Sequence, residues 1–101
     1  MPKRRSTFTV DAESVQGNAG AEVTFKALTV GEWNEYRSTA QTDHELLAAH
    51  VLDWAGIVDD DGKPLPSPAN EPDVLGRLYV HELRALAVLF LQGPDGESAK
   101  N

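Results

Sequence analysis

Two short runs near the start of the chain alternate apolar and polar residues. In Phe8-Thr9-Val10 and Val23-Thr24-Phe25-Lys26-Ala27 every second side chain is apolar, the period of a strand with one face on a core. Gln16-Gly17-Asn18-Ala19-Gly20-Ala21 lies between them and has the Gly and Asn content of a loop. The pattern predicts a long-looped β-hairpin. After it the period changes. Thr29 and Glu32 have the spacing of a capping box, in which each side chain satisfies a free backbone N–H, and Leu28 and Trp33 that of a hydrophobic staple. A first helix is expected over 30–38. Thr42 and Glu45 repeat the box, and Leu47, His50, Val51 and Trp54 then recur at i, i+3, i+4 and i+7. That stripe predicts a second helix over 43–54, stopped by Ala55-Gly56.

The stretch from Asp59 through Pro72 holds four prolines and a glycine, so it reads as a structured loop. Asn70 is placed to cap a third helix, expected over 71–92 and ended by Gly93-Pro94. In its first half Asp73, Arg77, His81 and Arg84 form a polar stripe opposite Leu75, Leu78, Tyr79, Leu83 and Leu86. Further along, Leu86-Ala87-Val88-Leu89-Phe90-Leu91 is apolar without a break. Those turns have no polar face for water, so either the core surrounds them or they leave an apolar patch for a partner. Val88 and Leu91 continue the polar stripe and are the candidates to face outward. Leu89 and Phe90 complete the candidate partner-binding set.

The fold class expected is therefore α+β and mainly helical, an N-terminal β-hairpin followed by three helices. One globular domain should cover 6–92, between a basic flexible arm over 1–5 and a polar flexible tail over 93–101. At 101 residues the chain can bury a single modest core. Its 41% apolar and 25% charged residues are those of a folded chain rather than a disordered one.

Charge is unevenly placed. Lys3, Arg4 and Arg5 take three of the nine basic residues, leaving six against sixteen Asp and Glu in the rest. Such a body repels a phosphate backbone, so nucleic acid is not an expected partner. The basic start is not followed by the apolar stretch of a signal peptide, and no run reaches the roughly 18 apolar residues of a membrane span. A cytoplasmic protein without a membrane partner is expected.

Catalytic and metal patterns are incomplete. Without Cys there is no thiolate ligand or thiol nucleophile. The acidic run at Asp59-Asp60-Asp61-Gly62 looks like a calcium loop. With Gly62 as its glycine, however, Ile57 and Pro68 stand where an EF-hand needs its first and last ligands. His44-Glu45 and His81-Glu82 begin like zinc protease helices, but Ala48 and Ala85 occupy the second histidine position. No phosphate loop or nucleophile elbow is present. The expectation is a non-enzymatic protein with no cofactor and no metal, in which Phe25, Trp33 and Trp54 belong to the core.

Asp59-Asp60-Asp61-Gly62-Lys63-Pro64-Leu65-Pro66, preceded by an apolar segment ending near Trp54 and followed by a last helix, resembles a recurring sequence of the tail assembly chaperones of long-tailed bacteriophages. Glu22 to Trp33, a short strand, a Leu-Thr step and a capped helix, is similar to that family's opening pattern. The resemblance spans roughly Phe8 to Gln92. It implies binding to the helical, apolar tape-measure protein, recruitment of tail tube subunits, work in the host cytoplasm and absence from the mature virion. Self-association is a further option. The runner-up function is a connector or tail-completion protein that stays in the virion.

Overall fold

Alternation in the two N-terminal runs is realised as an antiparallel strand pair, β1 (Thr7–Asp11) and β2 (Glu22–Lys26), with Phe8 opposite Phe25 and Val10 opposite Val23. The structure is a computed structural model that describes residues 6–39 and 42–93. The expected arm over 1–5 and nearly all of the expected tail lie outside those residues. The hairpin connection is more ordered than its composition implies. It contains a one-turn helix, α1 (Glu13–Gln16), whose Val15 is buried.

Helix α2 (Val30–Ser38) starts at Thr29, whose hydroxyl accepts the Glu32 N–H at 3.1 Å while the Glu32 carboxylate accepts the Thr29 N–H at 3.0 Å. Thr42 and Glu45 make the same reciprocal cap on α3 (Asp43–His50).

The expected second helix over 43–54 is corrected here. Its last residues form a third strand, β3 (Val51–Ala55), antiparallel to β2. Thr24 pairs with Asp53 and Phe25 with Val51, so Leu52 is the extra residue of a β-bulge. The bulge breaks strict alternation. Val51 and Trp54 are buried while Leu52 and Asp53 are exposed, a strand that copies the i, i+3 burial of a helix. All four residues of the apparent helical stripe are indeed buried, two on α3 and two on β3.

The expected helix over 71–92 is corrected too. Pro72–Arg77 is a 3-10 segment, Leu78 and Tyr79 are extended, and α4 (Val80–Gln92) begins afresh. The restart is fixed by Glu82, whose carboxylate accepts the Tyr79 N–H at 2.7 Å. One hairpin with three helices thus becomes a three-stranded sheet in the order β1-β2-β3, with four α-helices and a 3-10 segment among the described residues.

Phe8, Phe25 and Phe90 meet at the centre, with ring centroids 5.1 to 6.5 Å apart, and so tie both hairpin strands to α4. Leu47, Leu86 and Leu75 close this core from α3, α4 and the 3-10 segment.

The acidic corner after β3 is a small hairpin. Val58 bridges Pro64, and the Leu65 N–H donates to the Ile57 carbonyl at 2.8 Å. Asp59 shapes its tip: Oδ1 accepts the N–H groups of Asp61 and Lys63 at 2.9 and 3.0 Å, and its carbonyl accepts that of Gly62 at 3.0 Å. Gly62 has φ 79°, the left-handed shape that ends such a turn. At the end of β3, Gly56 also has φ 79°, and a Cβ there would lie 2.9 Å from the Ala21 Cα. Only glycine allows that backbone approach.

Candidate binding surface

Successive helix residues turn by about 100°, so the unbroken apolar run of α4 must point in all directions. Leu86, Leu89 and Phe90 point inward, while Val88 and Leu91 point into solvent at 55% and 52% exposure. Leu89 and Phe90 are 4% and 3% exposed. Of the candidate set these two lie inside: Leu89 is core, and the Phe90 ring packs on Phe8, Phe25 and His50. Val80, His81 and Arg84 join Val88 and Leu91 on the exposed face.

Leu91 also borders an apolar groove of about 420 Å³ between the start of α2 and the end of α4. Leu28, Val30 and Trp33 form one wall, Phe90 and Leu91 the other, and Phe8 lies between. Val30 is 76% exposed. Trp33, expected in the core, is only half-buried on this wall. The signal for the groove was the Leu28–Trp33 staple, which places an aromatic ring over the helix entry rather than inside the domain.

The α2 wall is lightly attached, for none of its residues is buried. Trp33 stacks on Tyr36 at 5.4 Å, with the Arg37 guanidinium 5.9 Å from the Trp33 ring. The Tyr36 hydroxyl donates to Asp43 at 2.9 Å, a bond that raises the phenol's pKa. Glu32 lies 3.7 Å from the buried His50. Its carboxyl is held below its ordinary pKa chiefly by the Thr29 backbone N–H, then by the Thr29 hydroxyl.

A second depression, of about 570 Å³, is polar. Gln16 sits at its back, donating to the Val58 carbonyl at 2.9 Å and to Glu82 at 2.8 Å while accepting the Val58 N–H at 3.0 Å. At the rim the Tyr79 hydroxyl donates to Asp60 at 2.6 Å, which raises the Tyr79 pKa. Among the described residues no buried side-chain nitrogen or oxygen lacks a hydrogen-bond partner. Gln16, Glu82, Tyr79 and Asp60 are thus used in holding α1, the corner and the start of α4 together, while Asp61, Arg77 and His81 line the cleft with exposed side chains.

The histidines stay apart: His44 is exposed on α3, His50 is buried at its end, and His81 is exposed on α4. Among the described residues no three His, Asp or Glu side chains converge to hold a metal ion, and no helix is long and apolar enough to cross a membrane. At the acidic corner, the Asp59 carboxylate is taken up by two backbone N–H groups.

Compared with protein-family models, curated proteins and solved structures, the chain gives no match.

Proposed function

We propose that this protein is a tail assembly chaperone of long-tailed bacteriophages, acting without catalysis in the host cytoplasm. It holds a helical segment of the tape-measure protein in solution, helps recruit tail tube subunits and leaves before the virion is complete. The observation that carries the holding role is the pair Val88 and Leu91, both exposed one turn apart on α4 and continuous through Leu91 with the groove under Val30 and Trp33. Assignment to tail assembly rests on the resemblance of Glu22 to Trp33 and of Asp59 to Pro66.

Each exposed apolar side chain covered by a client contributes roughly 1.5–3 kcal/mol before ordering costs. The acidic body, with net charge −7, keeps such a complex dispersed. The test is Val88→Asp with Leu91→Asp. Because both side chains are about half exposed, the fold should survive at a cost of about 1 kcal/mol per site, while co-purification with the tape-measure protein is lost. A folded double mutant that still captures the client refutes the surface. Mass spectrometry that finds the protein in purified virions at fixed copy number refutes the chaperone role.

A further inference from the structure

We propose that His50 is a proton-operated tether for α2: as a neutral ring it leaves the helix loosely held, and as a cation it pairs with Glu32 and clamps one wall of the apolar groove to the core. The tether goes beyond the holding role proposed above and needs no client to act.

His50 is the last residue of α3 and is buried. One side of its ring is committed. Nδ1 lies 2.9 Å from the Leu46 carbonyl oxygen, which can only accept, so Nδ1 carries a hydrogen and donates it. The single hydrogen of the neutral ring is then spent, and Nε2 presents a bare lone pair. That lone pair faces a carboxylate. Nε2 lies 3.7 Å from Glu32 Oε2, too far for a hydrogen bond, and two acceptors have nothing to draw them closer. A proton taken from solvent by Nε2 turns the same contact into an attraction between imidazolium and carboxylate.

Among the described residues Glu32 is the charged side chain that reaches the ring. From α4 the ring meets the uncharged Phe90, with centroids 5.2 Å apart. The 3-10 segment turns Asp73 and Arg77 to solvent, and on α3 itself Asp43, His44 and Glu45 sit at the opposite end. Lys26, at the end of β2, acts on the Glu32 carboxylate. The C-terminal end of a helix favours a cation through its dipole, while burial opposes one. Glu32 connects the ring to the groove. Its Oε1 accepts the Thr29 N–H, which fixes the carboxylate at the start of α2 beside Val30 and Trp33, while Phe90 lines the facing wall. With no fully buried residue on α2, a single ion pair can change how firmly that wall is held. Chiefly through the Thr29 backbone N–H, the Glu32 carboxyl is held below its ordinary pKa, so it stays ionised while imidazoles titrate.

The test follows the whole isotope-labelled chain by NMR from about pH 8 to about pH 5, a span that brackets ordinary imidazole titration. At the upper end the ring nitrogen signals of His50 should show hydrogen on Nδ1 and none on Nε2. As His50 takes up its second hydrogen, the amides of Thr29 to Trp33 should gain roughly threefold in exchange protection, corrected for the intrinsic pH dependence of exchange, which is the scale of a partly exposed ion pair. Loss of protection through the Glu32 carboxyl follows only at lower pH, when that group is itself protonated. Glu32→Gln keeps an oxygen for the Thr29 N–H but removes the charge, and should abolish the gain while His50 still titrates. If the cap frays in that variant at every pH, His50→Gln takes its place, and protection of α2 should then stay flat across the range. A neutral ring with its hydrogen on Nε2 overturns the tether, as does protection of α2 that ignores the titration of His50. A gain that survives in either variant overturns it too. Each of these outcomes leaves capture of the tape-measure protein to its own co-purification test.

Discussion

The corner that follows β3 and the helix α2 are neighbouring excursions from the same sheet, held in opposite ways. In the corner Trp54, Ile57 and Leu65 are buried, the Trp54 indole N–H donates to the Leu65 carbonyl at 3.3 Å, and Asp59 fixes the tip. Helix α2 fully buries no residue and is held by its cap, the half-buried Tyr36 with its phenol hydrogen bond, and the approach of Glu32 to His50. Burial and mutually satisfied polar groups make a region costly to open, whereas a segment with few buried contacts opens at low free energy. The apolar groove lies beside the second kind, where one wall can open at low cost without disturbing the sheet.

The most severe way to break the comparison is at the centre that both regions share. Phe25→Ala removes a ring wholly shielded from solvent and packed on Phe8 and Phe90. It should cost about 3–5 kcal/mol, read as a lowered denaturation midpoint. Gly56→Ala is expected next, at about 2–3 kcal/mol, because it combines a left-handed backbone with a clash against the Ala21 backbone. Gly62→Ala meets open space and keeps only the backbone strain, so it should cost about 1 kcal/mol. Equal losses at the two glycines would show that the close approach to Ala21 carries no weight.

The mildest effect belongs to α2 and is set by pH. The Glu32 carboxyl has a depressed pKa in the folded chain. Its stabilisation is therefore present above the unfolded value and disappears as pH falls through the folded one. On acidification the amides of Thr29 to Trp33 should lose exchange protection while those of β2 and β3 keep theirs. Simultaneous loss would mean that α2 is no more loosely held than the sheet.

Reciprocal caps were legible in the sequence because their chemistry is local: a hydroxyl and a carboxylate three residues apart satisfy each other whatever surrounds them. The pairing of the two runs and the inward face of Val23 and Phe25 were legible from alternation, but the register was not. The third strand was hidden by Leu52, since a bulge gives Val51 and Trp54 the spacing of a helix. The break before α4 was hidden because Tyr79 offers no cap acceptor, leaving Glu82 as half a box. For the surface, helical phase favoured Val88 and Leu91 as outward-facing, though the candidate set also took in the buried Leu89 and Phe90, and it could not find Val30 and Trp33. Those two join the groove through the tertiary position of α2, which no spacing along the chain records.

Gln16 has a kinetic consequence. Its one amide closes chain separations of 42 residues to Val58 and 66 to Glu82, whereas the ring contact of Phe8 with Phe25 and the register of β1 on β2 close much shorter loops. Loop closure grows dearer with length, and distant contacts form after near ones have confined the chain. The amide is therefore expected to engage on the native side of the folding barrier. Gln16→Ala should steepen the escape from the folded state and leave the rate of reaching it almost unchanged, as unfolding and refolding limbs measured in denaturant would separate. On that outcome a side chain on a one-turn helix would act as a latch on how long the domain stays folded rather than on how quickly it forms.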